Sequence, residues 1–148
     1  MKSLIICQSY HHKNTLKVAK AVSEVLNAEI IEPAKVRPES LTQYDLIGFG
    51  SGIYNTDFHR GLFKLVDTLP EQKEKKAFVF STSTFGLVSF HKNLKAALTK
   101  KGFSVIGDFS CPGFMSYSFT KLFMGGLSKG RPNEKDLQNA RKFAKGLF

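Results

Sequence analysis

The chain has no long apolar run. Its stretch Leu4-Ile5-Ile6-Cys7 is too short to span a bilayer, and a lone Lys2 ahead of it does not make a signal peptide, so a cytoplasmic protein is expected. Only two cysteines occur, which argues against a disulfide-stapled secreted scaffold and agrees with a reducing compartment. There is no internal repeat, low-complexity tract or linker composition. The 148 residues therefore suit one domain, 1–148, able to bury roughly two thirds of its unfolded surface. Acidic residues are scarce, 12 against 22 lysines and arginines, for a net charge of +10. Such an imbalance asks for an anionic ligand or partner. Yet Lys92, Lys95, Lys100, Lys101, Arg141, Lys142 and Lys145 are spread over helical segments, and no RNA-binding aromatic signature or zinc-ligand spacing accompanies them. Nucleic acid is thus not the expected partner, and solvated helix faces account for most of the charge.

What is present is a regular alternation of apolar runs with helical periods, the pattern of an α/β fold with a parallel sheet and crossover helices. Strands are expected near Ser3–Gln8, Glu29–Glu32, Asp45–Gly50, Lys76–Ser81 and Ser104–Ser110, and helices near Asn14–Leu26, Phe58–Thr68, Phe90–Lys101 and Glu134–Leu147. The last helix has a clear start: Pro132 stops the loop, Asn133 is a cap, and Asp136 lies in the first turn where the helix dipole favours it. Pro33–Thr42 connects the second and third strands with at most a short helix.

The first strand passes directly into the first helix through Ser9-Tyr10-His11-His12-Lys13-Asn14-Thr15. A strand that turns straight into a helix aims free N–H groups and the positive dipole end at one spot, which suits a phosphate. Ser9, Asn14 and Thr15 add neutral donors, and the histidines and lysine can add positive charge. An ordinary polar helix cap is the alternative reading. Gly48, Gly50, Ser51 and Gly52 follow the third expected strand, and Ser81, Thr82, Ser83, Thr84 and Gly86 follow the fourth. These loops meet the first turn at the carboxyl ends of the strands, where open sheets bind ligands. Tyr54 and Phe85 lie within them and suit either stacking on a flat ligand or hydrophobic packing.

Taken together, the first turn, Gly48-Phe49-Gly50-Ser51-Gly52-Ile53-Tyr54 and Ser81-Thr82-Ser83-Thr84-Phe85-Gly86 resemble a flavodoxin over nearly the whole chain. The resemblance implies a doubly wound three-layer sandwich whose five-stranded parallel sheet has the order 2-1-3-4-5, with FMN held noncovalently at the switch point. The FMN phosphate would sit on Ser9, Tyr10, His11, His12, Lys13, Asn14 and Thr15. Its ring would lie between Ser51, Gly52, Ile53 and Tyr54 on one side and Thr82, Ser83, Thr84, Phe85 and Gly86 on the other. Asn14-Thr15 matches the pair that commonly closes the flavodoxin turn, and Ser51-Gly52 matches the peptide beside flavin N5. Lys13 stands where the family usually has glycine, and His11 and His12 replace small hydroxyl residues.

Electron-transfer flavodoxins are typically acidic, so this basic chain would require a redox partner with an acidic docking surface. Electron transfer is the first expectation. An FMN-dependent oxidoreductase acting on a quinone or porphyrin precursor is the second, and a flavin-free interaction or nucleic-acid-binding module the third. The long segment from Cys111 to Arg131, with Phe114, Tyr117, Phe119, Leu122 and Phe123, suits a cover for the flavin, a partner surface or packing on the sheet edge. His59 and His91 have no third ligand at metal spacing and no nucleophile at a diagnostic motif. In the strand order taken from the resemblance, three spacings separate Cys7 from Cys111, roughly 14 Å. That is about twice the Cα reach of a disulfide, so both are expected to be free thiols.

Overall fold

Alternation along each strand decides the layers. In the first strand, β1 (Ser3–Gln8), Leu4 and Ile6 face one side of the sheet while Ile5 and Cys7 face the other, and all four are buried. The computed structural model describes residues 1–9, 13–84, 86–113 and 130–148. After β1 come α1 (Asn14–Leu26), β2 (Glu29–Ile31), two short 3-10 segments (Pro33–Lys35 and Pro38–Gln43), β3 (Leu46–Tyr54), β4 (Asp57–Phe58) and α2 (Arg60–Thr68). The second half contains β5 (Lys76–Ser83), a 3-10 turn (Val88–His91), α3 (Lys92–Lys100), β6 (Ser104–Pro112) and α4 (Glu134–Lys145).

The sheet runs β2-β1-β3-β5-β6, all parallel, with the two-residue β4 paired antiparallel to the end of β3. Without that small addition it is the expected five-stranded order 2-1-3-4-5. One face carries Leu4, Ile6, Ile47, Phe49 and Val79 beneath Leu62, Leu65 and Val66 of α2 and Leu94 and Leu98 of α3. The other carries Ile5, Cys7, Phe78 and Phe80 beneath Val18, Ala19 and Val22 of α1 and Ala140 and Ala144 of α4. Helices on both faces explain why the strands read as continuous apolar runs.

Of the boundaries that differ from the sequence reading, three bear on the site. First, β3 continues through Tyr54 instead of stopping at Gly50, so Ser51 and Gly52 are strand residues as well as Gly48 and Gly50. A Cβ on Gly48 would lie 2.3 Å from the Phe78 ring, and one on Gly50 would lie 2.2 Å from the Phe80 ring. These two glycines make room for core phenylalanines of the neighbouring strand. Second, Asp57 and Phe58 are held out of α2 by pairing with Tyr54 and Ile53, and the helix starts only after His59, whose Nδ1 accepts from the Gly61 amide. Third, Val88–His91 is a 3-10 turn that precedes α3, so that helix begins two residues later than its periodicity suggests. The start of α4 matches in detail. Asn133 Oδ1 accepts from the Asp136 amide at 2.9 Å, and Asp136 Oδ2 accepts from the Asn133 amide at 2.8 Å, a closed capping box. Arg131 adds two further bonds to the Asp136 carboxylate. Tyr10, His11, His12, Phe85 and residues 114–129, with Phe114, Tyr117, Phe119, Leu122 and Phe123, lie outside the described residues.

Candidate functional site

The register brings the carboxyl ends of the central strands side by side, pairing Gln8 with Ser51, Gly52 with Thr82, and Ser83 with Pro112. At the β1 end, Lys13 at the N-cap of α1 makes no side-chain cap bond, and the first turn holds no acidic residue. The positive end of a 13-residue helix is therefore not neutralised by a carboxylate of its own. Ser9 Oγ accepts from the Leu16 amide at 3.3 Å. Lys13, exposed at the cap, has φ 52° and ψ 38°, the left-handed conformation that an L side chain adopts at a cost and glycine adopts freely. This is the same position at which the flavodoxin resemblance implies glycine.

Asn14 and Thr15 are buried, not displayed. Thr15 Oγ1 lies 2.7 Å from Thr82 Oγ1, which ties the first turn of α1 to the end of β5. Gly113 closes over this contact: a Cβ there would lie 2.9 Å from Asn14 Nδ2 and 3.1 Å from the Thr82 Cβ. The side-chain hydroxyl of Thr15 is thus committed to holding the helix start on the sheet.

Two walls flank the turn. In the β3–β4 hairpin, Ser51 Oγ donates to the Gly52 carbonyl at 2.6 Å and accepts from the His59 amide at 3.0 Å, while the Tyr54 ring meets the His59 ring edge-on at 5.4 Å. Burial, with the charge of Arg60, pushes the His59 imidazole below its ordinary value, which suits an Nδ1 that must accept from the Gly61 amide. Ile53 and Tyr54 are half-buried. Beside Gly52 a Cβ would meet the Tyr54 side chain first, at 3.4–3.6 Å, so Gly52, unlike Gly48 and Gly50, borders Tyr54 and not the core. The second wall is the turn after β5. Ser83 Oγ accepts from the Gly86 amide at 3.0 Å, its carbonyl accepts from the Gly113 amide at 2.9 Å, and Thr84 between them is half-buried. Gly86, at φ 64°, packs so close to Cys111 and Pro112 that a Cβ would lie 2.8 Å from their backbone. Of the residues expected at the site, the structure brings Ser9, Lys13, Asn14, Thr15, Ser51, Gly52, Ile53, Tyr54, Thr82, Ser83, Thr84 and Gly86 to one edge of the sheet.

Sequence reading missed one cluster. His91, fully buried, has Ser81 Oγ 2.6 Å from Nε2 and Asp108 Oδ2 2.9 Å from Nδ1, so a serine does stand against it. Ser81 Oγ in turn lies 3.1 Å from Ser110 Oγ, and Lys95 Nζ lies 3.6 Å from Asp108 Oδ2. The partners are 10 and 17 residues away in sequence on separate strands, and only the sheet register juxtaposes them. Ser81 and His91 are both wholly buried, so this is not an accessible nucleophile. Cys7 and Cys111 are free and buried, and burial pushes both thiols up to about 12.

A helix start with no acidic residue and no cap bond from Lys13, set between a hairpin bearing Tyr54 and a turn closed by Gly86, fits a ligand that carries a phosphate and a flat ring. Residues 4–108 match the family model described as a flavodoxin domain. An uncharacterized protein of Methanocaldococcus jannaschii is 48% identical over 150 residues, covering 100% of this chain and 99% of that protein. Among solved structures, a flavodoxin from the domain Archaea superposes with a TM-score of 0.72 at 15% identity, covering 99% of this chain and 96% of its own. The flavodoxin of Streptococcus pneumonia TIGR4 superposes with a TM-score of 0.72 at 14% identity, covering 99% and 97%.

Proposed function

The chain belongs to the flavodoxin domain family, and on that premise we propose that it binds FMN and acts in electron transfer. The observation that carries this reading is the start of α1: no cap bond from the side chain of Lys13, no acidic residue in the first turn, and a left-handed backbone at Lys13 itself. A dianionic phosphate would complete the donors there and balance the helix dipole. The ring would lie between the Ser51–Tyr54 wall and the Thr82–Gly86 wall, with Tyr54 on one side. Bound FMN would supply one- and two-electron redox chemistry, and the chain would hold the ring and set the charge around it. Lys13 would add a cation at the phosphate end, and the net charge of +10 would favour a reduced, anionic flavin.

The redox partner would present an acidic surface. Support comes from Leu87 and Val88, exposed large apolar residues directly after the ring turn, next to Lys92 and Lys95 on α3. An apolar contact with a basic rim suits a partner of opposite charge. Titration of the apoprotein with FMN tests the reading. Saturable quenching of flavin fluorescence with micromolar or tighter affinity is expected, and riboflavin, lacking the phosphate, should bind much more weakly. Absence of saturable FMN quenching at about 50 micromolar, well above the affinity a formed phosphate-and-ring site should reach, would sink the proposal.

A further inference from the structure

His91 joins the bases of both ring walls. The segment leaving Ser81 forms the turn through Gly86 and returns as the 3-10 turn that ends at His91, so the 2.6 Å contact between Ser81 Oγ and Nε2 staples the two ends of that excursion. The same imidazole packs against the ring of Phe58, centroids 5.0 Å apart, and Phe58 pairs with Ile53 of the other wall.

The protons in this cluster can be counted. Asp108 Oδ2 sits at Nδ1 and a carboxylate only accepts, so Nδ1 carries a hydrogen. Ser81 has one hydroxyl proton and two neighbours, Nε2 at 2.6 Å and Ser110 Oγ at 3.1 Å. When the imidazole is neutral, Nε2 is bare and Ser81 must donate to it, so its proton is withdrawn from Ser110, the acceptor in the 3.1 Å contact. When the imidazole is charged, Nε2 donates to Ser81, and Ser81 donates to Ser110. One proton thus reverses the His91–Ser81 bond and makes or breaks the Ser81–Ser110 one.

We propose, resting on the flavin reading above, that His91 is a proton-responsive positioning residue for the ring walls: proton uptake reverses the His91–Ser81 bond, makes the Ser81–Ser110 one and places a positive charge at the base of the walls. The charged groups acting on it are Asp108 from β6 and Lys95 from α3; of the neighbouring elements, α3 also carries Lys92, β4 carries Asp57, held by Asn93 Nδ2 at 2.9 Å, His59 follows β4, and β5 contributes none over residues 77–83. Asp108 favours the charged form, while burial, the largest influence, and Lys95 oppose it, so the imidazole sits below its ordinary value. The neutral polarity holds near pH 7 and reversal occurs on the acid side. A negative charge arriving on a ring between the walls would favour the reversed form, and by linkage the reversed form would favour that charge.

The test needs no flavin at first. In apoprotein labelled with nitrogen-15 histidine, NMR should find His91 at pH 7.5 protonated on Nδ1 and bare on Nε2, titrating below the ordinary value, with the Thr84 and Gly86 amides moving at the same midpoint. Ser110→Ala should lower that midpoint, because only the charged form uses Ser110, as acceptor of the Ser81 hydroxyl, and Ser110→Thr should restore it. Ser110 is half-buried on the edge strand, so these variants leave the core intact. A midpoint indifferent to Ser110→Ala, or ring-turn amides that do not titrate with His91, would overturn the proposal and leave His91 a packed core residue. FMN affinity measured across the same range should change at the His91 midpoint and follow it in Ser110→Ala, which separates this effect from His11 and His12. Affinity flat across that midpoint would overturn the positioning role. FMN that fails to bind at any pH would refute the flavin reading, and the ring titration would still decide whether the chain reverses.

Discussion

Gly50→Ala distinguishes a glycine that serves the ligand from one that serves the core. An added Cβ would lie 2.2, 2.3 and 2.5 Å from Cζ, Cε2 and Cε1 of Phe80, whereas carbon atoms rest about 3.5–4.0 Å apart. The ring must therefore retreat by more than about 1 Å, beyond what ordinary contact spacing allows. It has nowhere to go: Phe80 is fully buried, stacked at 6.0 Å on Phe78 and covered by the face shared by α1 and α4. Overpacking of this kind costs about 1–3 kcal/mol. Restricting the unfolded chain by replacing glycine returns about 0.4–1 kcal/mol. A net loss of about 1–2 kcal/mol follows, which is a fall in Tm of roughly 2–8 °C at this chain length. Urea or thermal unfolding of the apoprotein measures it. In the double variant Gly50→Ala/Phe80→Leu the new methyl enters space the ring has left, so the cycle should show favourable coupling of at least about 1 kcal/mol. Gly52→Ala is the contrast, because its nearest neighbours belong to Tyr54 at 3.4–3.6 Å; it should leave stability within about 0.5 kcal/mol and weaken FMN binding. A Gly50→Ala protein that is as stable as the wild type yet binds FMN poorly would refute the reasoning and return Gly50 to a ligand loop.

Thr15→Val should destabilise the apoprotein by about 1–3 kcal/mol by stranding the Thr82 hydroxyl, and Thr15→Val/Thr82→Val should recover much of the loss; equal instability of both variants would show that the 2.7 Å contact is not the cause. Lys13→Gly should stabilise the apoprotein by about 1 kcal/mol, by relieving the left-handed backbone, while weakening FMN binding in low salt; stability unchanged or lowered would refute the strain. The Arg131 guanidinium, with the Asn133 amide, holds the Asp136 carboxyl below the usual carboxylate range. Its contribution is therefore complete above the unfolded value of about 3.9 and is lost as pH falls through the folded one. Asp136→Asn should accordingly cost about 1–2 kcal/mol at pH 7, allowing for the partly exposed guanidinium, and the gap from wild type should close in acid denaturation below about pH 4; a gap independent of pH would assign the loss to packing. Cys7 and Cys111, with thiols pushed up to about 12, should react with Ellman's reagent only on unfolding; labelling in the native state would contradict their burial.

Local chemistry determined much of this protein from its sequence alone. The run Ser3–Gln8, the helical period of Asn14–Leu26 and the cap at Asn133 were legible because each is decided by neighbours within a few residues. The passage from β1 into α1 was legible for the same reason, since strand end and helix start are close in sequence. Glycines, by contrast, look alike in a sequence whether they free a backbone for a ligand or clear space for a ring. The role of Gly48 and Gly50 was not legible because Phe78 and Phe80 lie 30 residues away, and only the β3–β5 register lays those rings over them. The hairpin that holds Tyr54 against His59 is likewise a pairing of β3 with β4 that interrupts a helical period. His91 is the clearest case. Its partners Ser81, Asp108 and Ser110 belong to two strands that meet edge to edge, so the hydrogen-bond chain exists only once the sheet has closed that distance. Spacing along a chain reports what one element can do by itself; contacts between elements are set by register and packing, and those are tertiary.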